Sequence, residues 1–271
     1  MPTRCYQVMG FERIDERVTL SINTYSMAAP QTNILDLLRQ VAPSAALVGP
    51  NRNLFETAYL YRVAPNELPA AVALLQSHVS PVVSVMLAEC ELALCLDFYQ
   101  HPDEEQGGWS KTAVGALVHA TKYGGQGRLA GPQLAEQVIN FVKAHPVLSK
   151  VDAVAAVPSS QSIGAAERGL AYGVAKYLAD ALGVSLVALS RSARTEHPQK
   201  NVRDGDPEAN QAGTMEASLQ VAQRRVLIID DLMRHGSTVR EAARALRAAG
   251  ADRVYSLTLA KEHTGTRGYR F

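Results

Sequence analysis

The sequence predicts an α/β protein in which a parallel sheet flanked by helices follows a small α+β domain. Apolar runs alternate with helical patterns after residue 111, and this alternation is typical of βαβ units. Residues 226–229 form a continuous apolar run, as expected for a strand buried on both faces. The composition shifts at residues 101–110, where three acids precede a glycine pair. We therefore expect two domains, over residues 1–105 and 111–271.

The first domain is expected to mix strands and helices. Alternating apolar residues predict strands at residues 17–26, 57–63, 82–86 and 92–98. Leu92, Leu94, Leu96 and Phe98 are interpreted as one apolar face. Helical spacing predicts one helix led by Ile34 behind a Thr32-Asn33 cap, and another led by Leu68. This half contains no motif that indicates chemistry.

The second domain is expected to alternate strands with helices. Helices are predicted near residues 114–124, 134–142, 170–182 and 239–246, and strands at 151–157, 185–189, 226–229 and 254–260. Gly183 and Gly250 are natural stops for two of these helices. Parallel strands joined by helices require right-handed crossovers.

Composition excludes several classes of protein. The 271 residues are 47 % hydrophobic and 20 % charged, which is typical of globular chains and not of disordered or membrane proteins. The formal net charge of +1 gives no broad electrostatic surface for nucleic acid or anionic lipid.

The cysteines and the N-terminus favour a cytoplasmic protein. Cys5, Cys90 and Cys95 form no C-x-x-C pair, so a disulfide scaffold or four-cysteine zinc site within one chain is excluded. Free thiols suit a reducing compartment. Residues 1–17 are too polar for a secretory signal, and the most apolar stretch, residues 81–99, carries three acids, so we expect no membrane association.

One loop carries the chemistry. Asp230 and Asp231 follow the buried apolar run, and Gly236-Ser237-Thr238 then opens a helix. Carboxylates accept hydrogen bonds from sugar hydroxyls. The backbone N–H groups of a helix N-terminus favour an anion such as phosphate. Because ligands bind at the carboxyl ends of parallel strands, this order predicts a sugar-phosphate site, against the simpler interpretation of an aspartate cap and a tight turn.

The segment VLIIDDLMRHGST resembles the phosphoribosyl-diphosphate (PRPP) motif of type I phosphoribosyltransferases, and the wider match is to their competence-protein-F (ComF-like) branch. The resemblance covers about residues 114–261. It includes TKYGGQGRLAG, VDAVAAVPSS, Glu167-Arg168-Gly169, Pro198-Gln199 with Asn210 and Gly213, and REAARALRAAGADRVYSLTLAK. It implies a type I phosphoribosyltransferase-like sheet and displacement of pyrophosphate at ribose C1.

The resemblance also implies residue roles. Asp230 and Asp231 would hold the ribose hydroxyls, as the catalytic pair. The phosphate would be bound by a continuous loop: Arg234, His235, Gly236, Ser237 and Thr238. Pro158, Ser159, Ser160 and Arg168 would lie near the pyrophosphate. The mobile hood loop would contribute Arg191, Arg194, Gln199 and Asn210. Magnesium would be carried mainly by PRPP oxygens, with no metal ligand from the protein alone.

Some of these residues have a second interpretation. Arg168 is equally explained as a surface arginine at a helix start. Arg191 and Arg194 form a basic cluster that suits a polyphosphate or a solvated loop. Gln199 and Asn210 are typical of amides that organise loops.

The sequence also departs from the family pattern. Arg234-His235 stands where the family has small, often hydroxylated residues, and Pro207 stands where an arginine is usual. The N-terminal four-cysteine zinc module of many ComF-like proteins is absent.

Three functions are compatible with these residues and with the resemblance. The first is an enzyme, a phosphoribosyltransferase that transfers or releases a phosphoribosyl group from PRPP or a ribose-5-phosphate nucleotide. The second is a catalytically weak nucleotide-sensing module acting on a partner, in a DNA-uptake or defence context, through residues 1–105. The third, a nucleic-acid accessory protein, rests on family analogy alone. The expected partners are PRPP or a nucleotide, a second copy in a homodimer, and a protein bound by residues 1–105.

Overall fold

A computed structural model describes most of the chain. The described residues are 5–13, 19–26, 31–50, 58–79, 81–103, 107–124, 127–158, 164–165, 168–191, 213–217 and 221–263. Within these parts of the chain, no helix is long and apolar enough to cross a membrane.

A mixed ten-stranded sheet organises the molecule. Its order is β11-β9-β14-β15-β6-β5-β1-β2-β4-β3. The first five strands of that order are mutually parallel: β11 (Ser185–Val187), β9 (Ala153–Ala156), β14 (Arg225–Met233), β15 (Arg253–Lys261) and β6 (Leu92–Phe98). The other five are antiparallel to their neighbours: β5 (Val83–Val85), β1 (Cys5–Arg13), β2 (Thr19–Ser26), β4 (Ala58–Arg62) and β3 (Ala46–Pro50).

Two smaller sheets accompany it. Strands β7 (Gln100–Pro102) and β8 (Trp109–Lys111) form a hairpin. Strands β10 (Gly164–Ala165), β12 (Leu189–Arg191) and β13 (Met215–Ala217) form a three-stranded antiparallel sheet.

Helices cover both faces of the parallel strands. The helices are α1 (Gln31–Arg39), α2 (Leu68–Gln76), α3 (Ala113–Lys122), α4 (Gly127–Ala144), α5 (Leu170–Leu182) and α6 (Ser237–Ala248), with a 3-10 turn at Leu148–Lys150. Leu227 and Ile229 pack in one core with α3, α4 and α5, whereas Val226 and Ile228 pack in another with α6. Alternate side chains of β14 therefore enter opposite cores, which explains its continuous apolar run.

The predicted α/β class is confirmed, and the sheet adds detail that periodicity did not reveal. Strands β1 and β3 were not predicted. Strand β6 is buried on both faces rather than along one, because it pairs with β15 inside the sheet. Helix α1 begins at Gln31, so the predicted Thr32-Asn33 cap lies inside it. The predicted strand at 185–189 is divided into β11 and β12.

The main sheet continues across the sequence boundary at residues 101–110. Strand β6 precedes that boundary and pairs in parallel with β15, from Leu92 opposite Tyr255 to Phe98 opposite Lys261. Strand β5 then links β6 to the antiparallel strands. Both sides of the predicted boundary therefore contribute strands to one sheet.

Candidate functional site

The predicted sugar-phosphate loop lies at the carboxyl end of the parallel strands. Strand β14 extends to Met233, so Asp230 and Asp231 are its last part rather than the start of a loop as predicted. Arg234, His235 and Gly236 connect it to α6, which begins at Ser237. The first N–H groups of a helix have no partner within the helix, and they point toward this connection.

Gly236 fixes the shape of the turn. Its φ of 77° is left-handed, and a Cβ there would lie 2.9 Å from Cδ2 of Leu87. A side chain would be strained by the backbone and would also collide with a buried leucine. The backbone therefore reaches the start of α6 in a conformation that favours glycine, as anion-binding turns commonly do.

The two aspartates occupy different environments. The Asp231 backbone N–H donates to Asp230 Oδ1 at 2.9 Å. Burial, followed by the nearby Asp231 carboxylate, raises the pKa of Asp230 to about 7. Asp231 is half-buried and pairs with Lys122, whose Nζ lies 2.9 Å from Oδ1. The pair thus offers one carboxyl that is protonated in part near neutral pH and one that is held in an ion pair, both suited to bonding hydroxyl groups.

Arg234 and His235 carry different charges. Arg234 is exposed, with Nε 3.6 Å from Glu262 Oε2. Burial, and then the nearby Arg234 charge, lower the pKa of His235 from its usual value of 6.5. The imidazole is therefore mainly neutral at pH 7, and the positive charge of this dipeptide comes from Arg234.

Among the described residues, two lysines also lie at the site and were not predicted as site residues. Lys122, at the end of α3, comes from the TKYGGQGRLAG segment and contacts Asp231. Lys261, at the end of β15, is 1 % exposed and donates from Nζ to the Arg234 carbonyl at 3.1 Å. A lysine following the apolar run at 254–260 is the signal that could have identified the second.

The predicted pyrophosphate and hood residues are only partly described. Pro158 is buried just after β9, and its carbonyl lies 3.5 Å from Arg191 Nη2. Arg191 is itself 1 % exposed and donates to Thr214 Oγ1 at 2.7 Å. Arg168 is exposed beside Gly169, before α5. The other predicted members lie outside the described residues: Ser159, Ser160, Arg194, Gln199 and Asn210.

The donor set fits a magnesium ion carried mainly by its ligand. Among the described residues, no group of three or more His, Cys, Asp or Glu side chains could hold a metal. The loop offers Asp230 and Asp231, and Mg²⁺ commonly binds through one or two carboxylates together with substrate phosphates and water.

The fold and this loop define an α/β protein with a candidate site for a phosphorylated sugar. Residues 166–269 match the family model described as the phosphoribosyl transferase domain. The matched residues include all of β14, the connection at residues 234–236 and α6. This match supports a phosphoribosyltransferase, an enzyme that transfers a pentosyl group. No curated protein matches the sequence.

Solved structures resemble the chain weakly. Phosphoribosylpyrophosphate synthetase from Mycobacterium smegmatis is 19 % identical over 47 % of this chain, with a TM-score of 0.31, and the match spans only 33 % of that protein. Adenine phosphoribosyltransferase from Saccharomyces cerevisiae is 18 % identical over 60 % of this chain and 82 % of its own, with a TM-score of 0.35. Glutamine PRPP amidotransferase from B. subtilis is 12 % identical over 89 % of this chain and 46 % of its own, with a TM-score of 0.37. At these low scores the likenesses carry no argument about activity.

Proposed function

We propose that this chain binds PRPP or a related ribose 5-phosphate and transfers its phosphoribosyl group, releasing pyrophosphate. One observation carries the proposal: Asp230 and Asp231 lie in the last part of the parallel strand β14, and a left-handed turn at Gly236 then leads into α6. Hydroxyl acceptors and a helix N-terminus therefore lie a few residues apart, as a phosphorylated sugar requires.

The proposed chemistry depends on positioning. Asp230 and Asp231 would accept hydrogen bonds from the ribose hydroxyls, and the N–H groups at Ser237 and Thr238 would face the 5-phosphate. Holding both ends of the sugar fixes C1 relative to an acceptor, which lowers the barrier without a protein nucleophile. Positive charge that develops at C1 would be stabilised by the fixed carboxylates of the site. Magnesium, when bound with PRPP, would neutralise the leaving pyrophosphate.

Lys122 pairs with Asp231 of the two aspartates. Its ammonium lies 2.9 Å from Asp231 Oδ1, whereas burial, and then the Asp231 carboxylate, raise the pKa of Asp230, so that Asp230 retains its proton to a higher pH. A ribose hydroxyl that binds Asp231 would compete with Lys122 for the same oxygen. Lys122 is therefore placed to move from the protein carboxylate to an anionic part of the ligand.

Several finer assignments belong to the same proposal. The segments quoted from residues 114–261 support placement in the ComF-like branch. We also propose that Pro158, Ser159, Ser160 and Arg168 face the pyrophosphate, and that Arg194, Gln199 and Asn210 close over it. Arg191, predicted as a hood residue, is instead buried in β12 beside the Pro158 carbonyl. A homodimer and a cytoplasmic location complete the proposal. No observation among the described residues favours the nucleotide-sensing alternative.

Titration calorimetry tests the site directly. PRPP and nucleoside monophosphates are titrated with and without Mg²⁺ into the full chain and into an Asp230→Asn/Asp231→Asn variant. We expect the variant to bind at least about tenfold more weakly, because each lost charged hydrogen bond contributes about 1.5 kcal/mol or more. Asp252→Asn is the matched control, since Asp252 is exposed just before β15, at the amino end of the parallel strands and away from the site. Equal affinity of wild type and the double variant would refute the ribose contacts.

A further inference from the structure

A buried lysine lies beneath the phosphate loop. Lys261 pairs in register with Met233, the last residue of β14, and is 1 % exposed. Its ammonium donates to the Arg234 carbonyl at 3.1 Å and also to the Glu262 carbonyl. The Glu262 side chain is directed to Arg234 instead, with Oε2 3.6 Å from Nε. Among the described residues, Lys261 thus forms hydrogen bonds to carbonyl oxygens and no ion pair.

The other groups near this ammonium do not balance its charge. Burial raises the pKa values of the Cys5 and Cys95 thiols, so both are neutral at physiological pH. Burial lowers the pKa of Lys261 itself, and the nearby Glu262 carboxylate, which pairs with Arg234, offsets this effect only in part. A buried cation that has no ion pair is costly, and hydrogen bonds to carbonyls offset only part of that cost. The balancing anion is therefore expected from outside the chain.

The loop offers a place for that anion. The carbonyl bound by Lys261 belongs to the peptide that joins Arg234 to His235. In a trans peptide the C=O and the following N–H point in opposite directions. When Lys261 draws the carbonyl inward, the His235 N–H is directed to the other side of the chain. Gly236 then turns the backbone, and the first N–H groups of α6 follow from Ser237 onward.

We propose that Lys261 is a positioning residue of the phosphate site, fixing the Arg234 peptide and supplying a buried positive charge that a phosphomonoester dianion balances. This inference rests on the proposed function. It adds a reason why the site would bind a phosphorylated sugar in preference to an uncharged one. The loop and the lysine then act as one unit, in which the same ammonium orients the backbone and attracts the ligand.

Three variants test the inference. Lys261→Met removes the charge and the hydrogen bonds, Lys261→Gln removes the charge and retains a donor, and Lys150→Met is a matched control at an exposed lysine on the 3-10 turn. Inorganic phosphate and ribose 5-phosphate are titrated into each, and the thermal midpoint is measured without ligand. We expect Lys261→Met and Lys261→Gln to bind both probes at least about tenfold more weakly and to unfold at the wild-type temperature or above, because each removes an unbalanced buried charge. The control should bind as the wild type does.

The outcomes separate the inference from the function it rests on. If Lys261→Gln folds and binds both probes as tightly as wild type, the charge has no role and the inference is wrong. If both Lys261 variants lose thermal stability and affinity in proportion, the lysine is only structural, which also overturns it. If wild type binds neither PRPP nor ribose 5-phosphate, the proposed function is wrong, and the inference that rests on it is wrong as well.

Discussion

The loop between β14 and α6 departs from the family pattern at two residues, Arg234 and His235. Arg234 is exposed and contacts Glu262, whereas His235 is half-buried and mainly neutral at pH 7, because burial lowers its pKa. A guanidinium beside a phosphate strengthens binding of substrate and transition state alike. Uniform strengthening of this kind does not accelerate the chemical step. We therefore expect Arg234 to tighten phosphate binding without raising the rate of the chemical step.

Replacing both residues with threonine should separate binding from turnover. In Arg234→Thr/His235→Thr we expect ribose 5-phosphate affinity to fall by about tenfold, the value of one charged hydrogen bond. At saturating PRPP the rate of pyrophosphate release should stay unchanged, because the lost interactions stabilised substrate and transition state alike. The measurement is pyrophosphate release against a panel of bases. Brisk wild-type turnover that slows in the variant would show instead that both residues assist catalysis.

At the scale of elements, two buried histidines join α2 to the turn after α4. His78 donates from Nδ1 to the Leu74 carbonyl at 2.8 Å, and His145 Nδ1 accepts from the backbone N–H groups of Val147 and Leu148. Their ring centroids are 5.1 Å apart. Burial lowers the pKa of His78 to about 4 and that of His145 to about 2. Both rings are therefore neutral in the folded protein.

These histidines should make the fold sensitive to mild acid. The unfolded chain protonates each histidine near pH 6.5, whereas the folded chain does not, so stability present above pH 6.5 is lost as the pH falls toward the lowered pKa values. Between pH 7.5 and 5 the loss should be about 2 kcal/mol for each histidine. Urea unfolding at both pH values measures it. His145→Asn keeps an acceptor for the two N–H groups and should show a smaller loss, while the exposed His101→Asn should match wild type. An unchanged loss in His145→Asn would contradict this assignment.

The local sequence pattern predicted most helices and strands. It missed the strands and contacts that depend on residues far apart in the chain. Helices α5 and α6 were predicted because their apolar spacing and glycine stops lie within one segment. Strand β1 mixes polar and apolar residues and forms only because β2 and β5 pair with it. The aspartates and Gly236 were found because they are contiguous. Lys122 was missed because it lies 109 residues from Asp231, and only the packing of α3 brings the two together.

At the scale of the whole molecule, the two predicted domains share one sheet. We keep the boundary between residues 1–105 and 111–271 as a proposal about where a protease cuts the chain. It is not a proposal that the two parts fold independently. Strand β6 supplies side chains to the cores that also hold β14 and β15. Removing it would expose the edge of β15 and its backbone hydrogen-bonding groups.

Cleavage between the halves should leave them associated. A protease specific for glutamate is expected to cut within residues 103–110, where acids and the exposed Gly107 and Gly108 concentrate. The two fragments should separate on a denaturing gel and co-elute in gel filtration under native conditions. Residues 111–271 expressed alone should be insoluble or unfold at a lower temperature than the cut protein. Fragments that separate under native conditions, each folded, would establish two independent domains instead.

The contact between Leu87 and Gly236 limits which segments of this chain could be replaced by those of a related protein. Leu87 lies before the matched family region of residues 166–269, yet its Cδ2 atom occupies the space beside the turn at Gly236. The Glu89 carboxylate, two residues on, binds Arg244 of α6 at 2.8 Å. A chimera that took its first hundred residues from another chain would need a side chain of similar size at position 87 and an acid at 89. The two halves of the chain therefore depend on each other, and we expect residues 87 and 236 to be substituted together or to stay unchanged as the sequence evolves.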